Sequence, residues 1–425
     1  MSDLNAMPPE ELAPRLHQLQ ERFKRFQQAD LNLDLTRGKP CPEQLDLSNP
    51  MLTIVSPENH RAADGTDTRN YGGLDGLPEA KKLFAEYMGV DPTEVIIGGN
   101  ASLTLMYDTF MRAMFMGVDD GHPPWAQLPR VRFLCPSPGY DRHFSICANL
   151  GIEMIPVAMT GNGPDMDTVE GLVADDEAIK GIWCVPIFSN PTGDVYSDET
   201  VVRLAQMPTR ADDFRIFWDN AYAAHQFAGP PPVQKHILTA CKEAGNPERP
   251  LMFGSTSKIT FPGAGLALVA GSARNMEWVR QQLFYQTIGP DKLNQLRHVR
   301  FFGNLDGIRE HMQKHAAIVR PRFEAVESIL TQELAGKGIA TWTQPQGGYF
   351  VSFNALDGCA KAVVAMAAEA GVKLTPAGAT YPLGIDPRDR NIRIAPTFAA
   401  LEDVKAAVEV LAVCTQIVSI AKLLA

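Results

Sequence analysis

The sequence predicts an α/β fold in which a large domain with a mainly parallel seven-stranded sheet is joined to a smaller α+β domain. Three observations predict it. Seven short apolar runs recur between residues 95 and 271, most of them separated by stretches long enough for a helix. Strands alternating with helices form a parallel sheet covered on both faces. After about residue 305 long helical patterns replace that rhythm, and a chain of 425 residues divides into two or three domains rather than filling one core.

In chain order, the first thirty residues carry apolar positions at Leu12, Leu16, Leu19 and Phe23, the spacing of one amphipathic helix. The extended segment LNLDLTRGKP follows. The strand candidates are VIIG (95–98), RFLC (132–135), EMIPV (153–157), GIWCVPIF (181–188), RIFWD (215–219), LMFG (251–254) and GLALVAG (265–271). GHPPWAQLP (121–129) and GPPPVQ (229–234) read as surface loops from their Pro and Gly content. A long helix is expected across residues 307–334, kinked at Pro321. TWTQPQGGYFVSF and NIRIAPTF supply further strands, and helices close the chain. The expected division places residues 49–305 in the large domain, and 1–48 with 306–425 in the small one.

Composition excludes several classes of function. A formal charge of −10 and a pI near 5.4 argue against nucleic acid or an anionic membrane as partner. The seven cysteines are scattered, odd in number and without a C-x-x-C pair, which reads as reduced thiols in a cytoplasmic protein and as no metal site. The N-terminus lacks a basic segment followed by an apolar one, so no secretory signal is expected. The closing apolar stretch LAVCTQIVSIAKLLA is interrupted by Thr, Gln, Ser and Lys, and reads as too short and too polar for a membrane span.

In open α/β sheets ligands bind at the carboxyl ends of strands. Five strand ends carry polar or aromatic groups: Gly99-Asn100-Ala101-Ser102, Pro136-Ser137-Pro138-Gly139-Tyr140, Ser189-Asn190-Pro191-Thr192-Gly193, Asp219-Asn220-Ala221-Tyr222 and Ser255-Thr256-Ser257-Lys258. The chemistry that unites them is that of pyridoxal phosphate. Lys258 supplies the amine for a Schiff base, and Asp219 a carboxylate that keeps the pyridine nitrogen protonated. Ala101 and Ser102 offer backbone N–H groups at a helix start for the phosphate, with Ser102 and Ser255 hydroxyls beside them. Asn190 and Tyr222 suit the ring oxygen, and Tyr140 a stacking face. Taken singly, each has a plainer reading: Asp219 as a helix cap, Asn190-Pro191 as a turn, Tyr140 and Tyr222 as packing residues, Lys258 as a loop lysine. Five coincident strand ends favour the joint reading.

SNPTG, then DNAY, then STSK, with PSPGY, YGGLDGLPEAKK and PQGGYF, resemble a class I pyridoxal-phosphate aminotransferase of fold type I over nearly the whole chain. The resemblance implies a homodimer with active sites at the subunit interface, where Tyr71 reaches the cofactor phosphate of the other subunit. It implies Arg393 as a bidentate fork for the substrate α-carboxylate, and Gly38 beside the substrate on a closing segment. One feature departs from the family: Pro262-Gly263-Ala264-Gly265-Leu266 lacks the usual phosphate-binding arginine. LTRGKP, GGNASLTLMYD, SKITFPGAGLA and TIGPDKLNQLRH further resemble a bacterial aspartate aminotransferase subgroup, which implies L-aspartate and 2-oxoglutarate as substrates in a ping-pong reaction. Arg37, Lys39, Lys292 and Arg297 are candidate cations for a distal carboxylate. Transamination of another amino acid, a lyase or decarboxylase on the same fold, and a non-catalytic regulatory role stand as alternatives. The last expects a separate basic DNA-binding domain.

Overall fold

The computed structural model describes residues 3–425. The chain opens with a short 3-10 turn, Leu4–Ala6, and the helix Pro9–Gln28, which starts on Pro9 at its first position. Strand β1 (Leu33–Asp34) follows. Seven strands then build the large sheet: β2 (Val95–Ile97), β3 (Arg132–Ser137), β4 (Glu153–Ala158), β5 (Ile179–Cys184), β6 (Arg215–Asp219), β7 (Pro250–Ser255) and β8 (Ala267–Ala270). Their spatial order is β2-β8-β7-β6-β5-β3-β4. The pairs β3–β4, β3–β5, β5–β6 and β6–β7 are parallel, while β8 runs antiparallel to both β2 and β7. Each expected strand is present. The fourth is shorter than its apolar run: β5 ends at Cys184, and the chain reaches Pro186, which has no N–H for a ladder, and Phe188 at φ +52°.

Strands β5 to β8 are buried along their whole length, as a sheet covered on both faces requires. Successive side chains serve opposite layers. Leu134, Ile182, Ile216, Trp218 and Met252 join one apolar cluster, while Phe133, Trp183, Phe217 and Phe253 join the other.

A three-stranded antiparallel sheet is formed by β9 (Ala340–Trp342), β10 (Val351–Ala355) and β12 (Asn391–Ile394), while β11 (Val372–Lys373) pairs in parallel with β1. The helix Leu305–Leu334 continues through Pro321 as one element. It gives Ile308 and Met312 to the first cluster, and Ala316 onward to a third that also holds Leu12, Phe23 and Leu35. The last helix, Leu401–Leu424, begins ten residues before the apolar stretch singled out in the sequence. Its 24 residues include a window of mean hydropathy 1.8, long and apolar enough to cross a membrane. In the fold 67% of that window is buried, and Val404 to Ile420 pack with the helix Leu305–Leu334 and the first helix. Its apolarity is that of a helix most of whose apolar residues are covered by protein.

Candidate active site

The chain direction through the sheet reverses between β3 and β5, and the crevice at such a point opens at the carboxyl ends of the strands. Asp219 is the last residue of β6, and its neighbours Trp218 and Asn220 face the other side. Its carboxylate is 3% exposed. One oxygen, Oδ2, lies 3.0 Å from His143 Nε2, and the imidazole is stacked on Trp183 at 4.0 Å. The other oxygen, Oδ1, is buried without a hydrogen-bond partner. A buried carboxylate oxygen left unpaired loses its hydration with nothing in return, so it marks a place for an external donor.

Lys258 occupies a turn just past β7. Its ammonium has no ion-pair partner among the described residues, and Nζ stands 5.0 Å from the centre of the Tyr222 ring. Burial lowers its pKa from the ordinary lysine value, and Asp219 opposes that shift. Desolvation therefore favours the neutral amine, the form a nucleophile or base needs. The turn is held tightly on its far side. Thr256 Oγ1 accepts the Leu266 N–H at 2.8 Å, and Ser257 Oγ donates to the Asn100 carbonyl at 3.0 Å. A Cβ on Gly265 would lie 3.1 Å from both the Asn100 carbonyl and the Ser257 nitrogen, so the Pro-Gly stretch owes its close approach to the missing side chain.

Asn100 and Ala101 lead into the helix Ser102–Met116 without a side-chain cap, so its first N–H groups are free for an anion. Ser102, Tyr140, Asn190, Asp219, Tyr222 and Lys258 line one cavity. Ala101 precedes Ser102, and Ser255 is buried at the end of β7. Among the described residues lining this cavity Lys258 is the one cation. Burial, followed by the nearby Asp219 and Asp141 carboxylates, pushes the Tyr140 hydroxyl up to about 12. Burial likewise raises Tyr222. A larger cleft of about 1060 Å³, between the 223–237 loop and the helix Leu305–Leu334, lies on the Trp218 and Asn220 side and receives none of the selected residues.

Arg393 lies in β12 and is 7% exposed. One terminal nitrogen donates to Asp141 Oδ1 at 2.9 Å and to Asn190 Oδ1 at 3.3 Å, while Nε is buried without a partner. The guanidinium lies 4.9 Å from the centre of the Phe350 ring. Gly38 abuts the Cζ edge of that ring, where a Cβ would stand 2.4 Å from Phe350 Cζ. Gly38 thus meets the site through Phe350. Tyr71 is not brought to this cavity; it is 80% exposed. Its loop is tied to the 288–292 region by the Gly72 N–H to Ile288 carbonyl bond at 3.2 Å and by Lys292 Nζ on the Gly72 carbonyl at 2.7 Å. Of the other candidate cations, Arg37 is exposed, Lys39 sits over the Phe398 ring at 3.8 Å, and Arg297 has a buried, unpaired Nε.

Sequence reasoning missed His143, Asp141, Phe350 and a buried network behind the lysine turn. His143 had a signal, since it lies three residues after Tyr140 on the helix that follows a marked strand end. In the network only Tyr349 had one, through the PQGGYF motif; Gln44, His311 and His315 had none. Gln44 Nε2 donates to His315 Nδ1 at 2.9 Å and to the Tyr349 hydroxyl at 3.2 Å. Tyr349 donates in turn to the Lys258 carbonyl at 3.4 Å, and His311 Nε2 lies 2.8 Å from the Ile259 carbonyl and 3.1 Å from His315 Nε2. His225 Nε2 reaches the Lys258 carbonyl at 3.3 Å.

A desolvated amine, an unpaired carboxylate oxygen, free N–H groups at a helix start and an aromatic face suit one kind of guest. It is a flat heteroaromatic with an aldehyde, a ring nitrogen and a phosphate, the groups of pyridoxal phosphate. Comparison with known proteins identifies the family. The sequence profile of the family described as aspartate amino-transferase matches residues 7–425. A Mycolicibacterium smegmatis protein named provisionally as an aminotransferase is 51% identical over 401 residues, 94% of each chain. An aspartate aminotransferase of Corynebacterium glutamicum is 44% identical over 396 residues, 93% of this chain and 91% of that one. The crystal structure of an aspartate transaminase from C. glutamicum superposes with a TM-score of 0.97 at 42% identity, covering 99% of both chains. The fold is that of the fold-type-I transferases, and the chain belongs to the aspartate aminotransferase family of aminotransferases.

Proposed function

We propose that this aminotransferase moves the amino group of L-aspartate to 2-oxoglutarate with pyridoxal phosphate as cofactor. The observation that carries the cofactor is the buried, unpaired Asp219 Oδ1 beside the desolvated Lys258 amine. What supports aspartate is 44% identity to a relative bearing that name.

When bound, pyridoxal phosphate supplies an aldehyde for the substrate amine and a ring that accepts electrons. Asp219 Oδ1 holds a proton on the ring nitrogen, and His143 fixes the carboxylate through Oδ2. Lys258 Nζ holds the cofactor and then moves the proton from the substrate Cα, a task its lowered pKa suits. Arg393 binds the α-carboxylate through its free Nε edge, oriented by Asn190 and Phe350. The start of the helix Ser102–Met116, Ser102 and Ser255 receive the phosphate.

We further propose a homodimer in which Tyr71 completes the partner's site. Tyr71 precedes Gly72, whose N–H bonds the Ile288 carbonyl, and the nearby chain positions Phe284, Tyr285 and Ile288 are 72%, 82% and 65% exposed. Exposed apolar side chains that gather on a surface mark protein interfaces.

The test is a visible absorption spectrum of the purified protein before and after L-aspartate. A yellow band that bleaches with aspartate and returns with 2-oxoglutarate is expected. A yellow protein that responds only to aromatic or aliphatic amino acids overturns the substrate. A protein that stays colourless with added pyridoxal phosphate overturns the cofactor.

A further inference from the structure

We propose that Asp141 is an internal carboxylate that competes with the substrate for Arg393, an inference that rests on reading Arg393 as the α-carboxylate fork. Arg393 is the more deeply buried partner of this ion pair, its side chain 8% exposed against 36% for Asp141. A guanidinium so desolvated needs a counter-charge when no substrate is present. Among the described residues Asp141 is the one carboxylate within ion-pair distance, at 2.9 Å. Asn190 shares the same nitrogen at 3.3 Å but is neutral, so it orients the guanidinium without balancing it.

Asp141 also has somewhere else to go. It is the first residue of the helix Asp141–Asn149, whose unsatisfied N–H groups and dipole favour an anion at that position. The carboxylate therefore has two resting places, on Arg393 and on its own helix start, and the second is open to water. When an α-carboxylate takes Arg393, either two anions share one cation or Asp141 withdraws. Both weaken binding of the incoming carboxylate. The effect falls alike on the amino acid and the 2-oxo acid, since both present the same carboxylate. Asp141 so sets a ceiling on substrate affinity and favours release of either product.

The test compares the holoenzyme with Asp141→Asn, which keeps an acceptor for Arg393 and removes the charge. Asp141→Ser, which keeps a helix-start acceptor, serves as the second variant. KM and kcat are measured for the amino acid the wild type turns over best and for its 2-oxo acid acceptor. The expected result is a KM lowered about fivefold for both substrates, the scale of a partly exposed ion pair, with kcat no higher than wild type. A purely structural role for Asp141 moves KM the other way, so a raised or unchanged KM in both variants overturns the inference. Arg393→Lys separates the two levels. If it raises KM while Asp141→Asn does not lower it, the inference alone fails; if it leaves KM unchanged, the fork reading fails and the inference with it.

Discussion

Two sets of buried polar groups flank the Lys258 turn, one in front of it and one behind. In front, Asp219 Oδ1 at the end of β6 and Arg393 Nε in β12 are buried with no partner. Behind, Gln44 is 1% exposed and yet uses its oxygen on the Cys41 N–H and its nitrogen on His315 and Tyr349. His298 likewise bonds Thr256, Thr260 and the Asn294 carbonyl. Burial is similar on the two sides, and satisfaction differs: behind the turn His225 Nδ1 is unpaired, but Gln44, His311, His315 and Tyr349 are all bonded. Buried polar groups are almost always paired, so the unpaired side is the one shaped for a guest. The paired side is architecture: its hydrogen bonds end on the Lys258 and Ile259 carbonyls and fix the turn that carries the amine.

This contrast is most directly broken by mutation on the front side. Lys258→Ala is expected to lower amino transfer by about 10⁴-fold or more, the scale of a lost acid–base group, in a protein of unchanged circular dichroism. Residual turnover near the wild-type rate breaks the reading of this cavity as the active site. Asp219→Asn keeps the shape and removes the charge, and is expected to lower kcat by about 10²–10³-fold, read in steady-state kinetics. Gly38→Ala drives a methyl into Phe350 and so displaces the face on which Arg393 lies. Its expected signature is a KM raised about tenfold or more for both substrates, because sub-ångström errors in positioning are felt at the carboxylate.

Behind the turn the expected effects are smaller and of another kind. His315→Leu removes the acceptor of one Gln44 N–H, and is expected to destabilise the fold by about 1–3 kcal/mol in urea denaturation, with kcat close to wild type. A large loss of kcat without loss of stability would erase the distinction between the two sides. Burial holds His315 neutral, its pKa lowered from 6.5 to about 3, with repulsion from His311 and His225 acting the same way; burial brings His225 also to about 3. Between these values the unfolded chain binds protons that the folded one refuses, so stability falls as pH is lowered through that window and is level above it. The slope is about 1.4 kcal/mol per pH unit for each such histidine. Denaturation midpoints between pH 5 and 7.5, with one histidine's share missing in His315→Leu, check the sign.

The seven strands and five strand-end motifs were legible in the sequence because the signals are local: an apolar run, then a polar or aromatic turn. What was not legible depends on distant chain segments meeting. Asp141 and Arg393 are 252 residues apart, Gln44 and His315 271 apart, and nothing in either local spelling names its partner. The exposed side chain of Tyr71 shows the same limit, since its proposed target lies on another copy of the chain. The last helix shows the reverse case. Its composition alone fits a membrane as well as a core, and only its packing distinguishes the two.

By itself the sequence determined the strand-and-helix alternation and the order of the strand-end motifs, and it singled out Lys258 and Asp219 as candidates. Side-chain periodicity and turn chemistry act over a few residues. Tertiary structure alone decided which polar atoms were left unpaired. Whether Asp219 Oδ1 or Gln44 Nε2 finds a partner is a property of the packed neighbourhood, because desolvation and hydrogen bonding are set by every segment that arrives there.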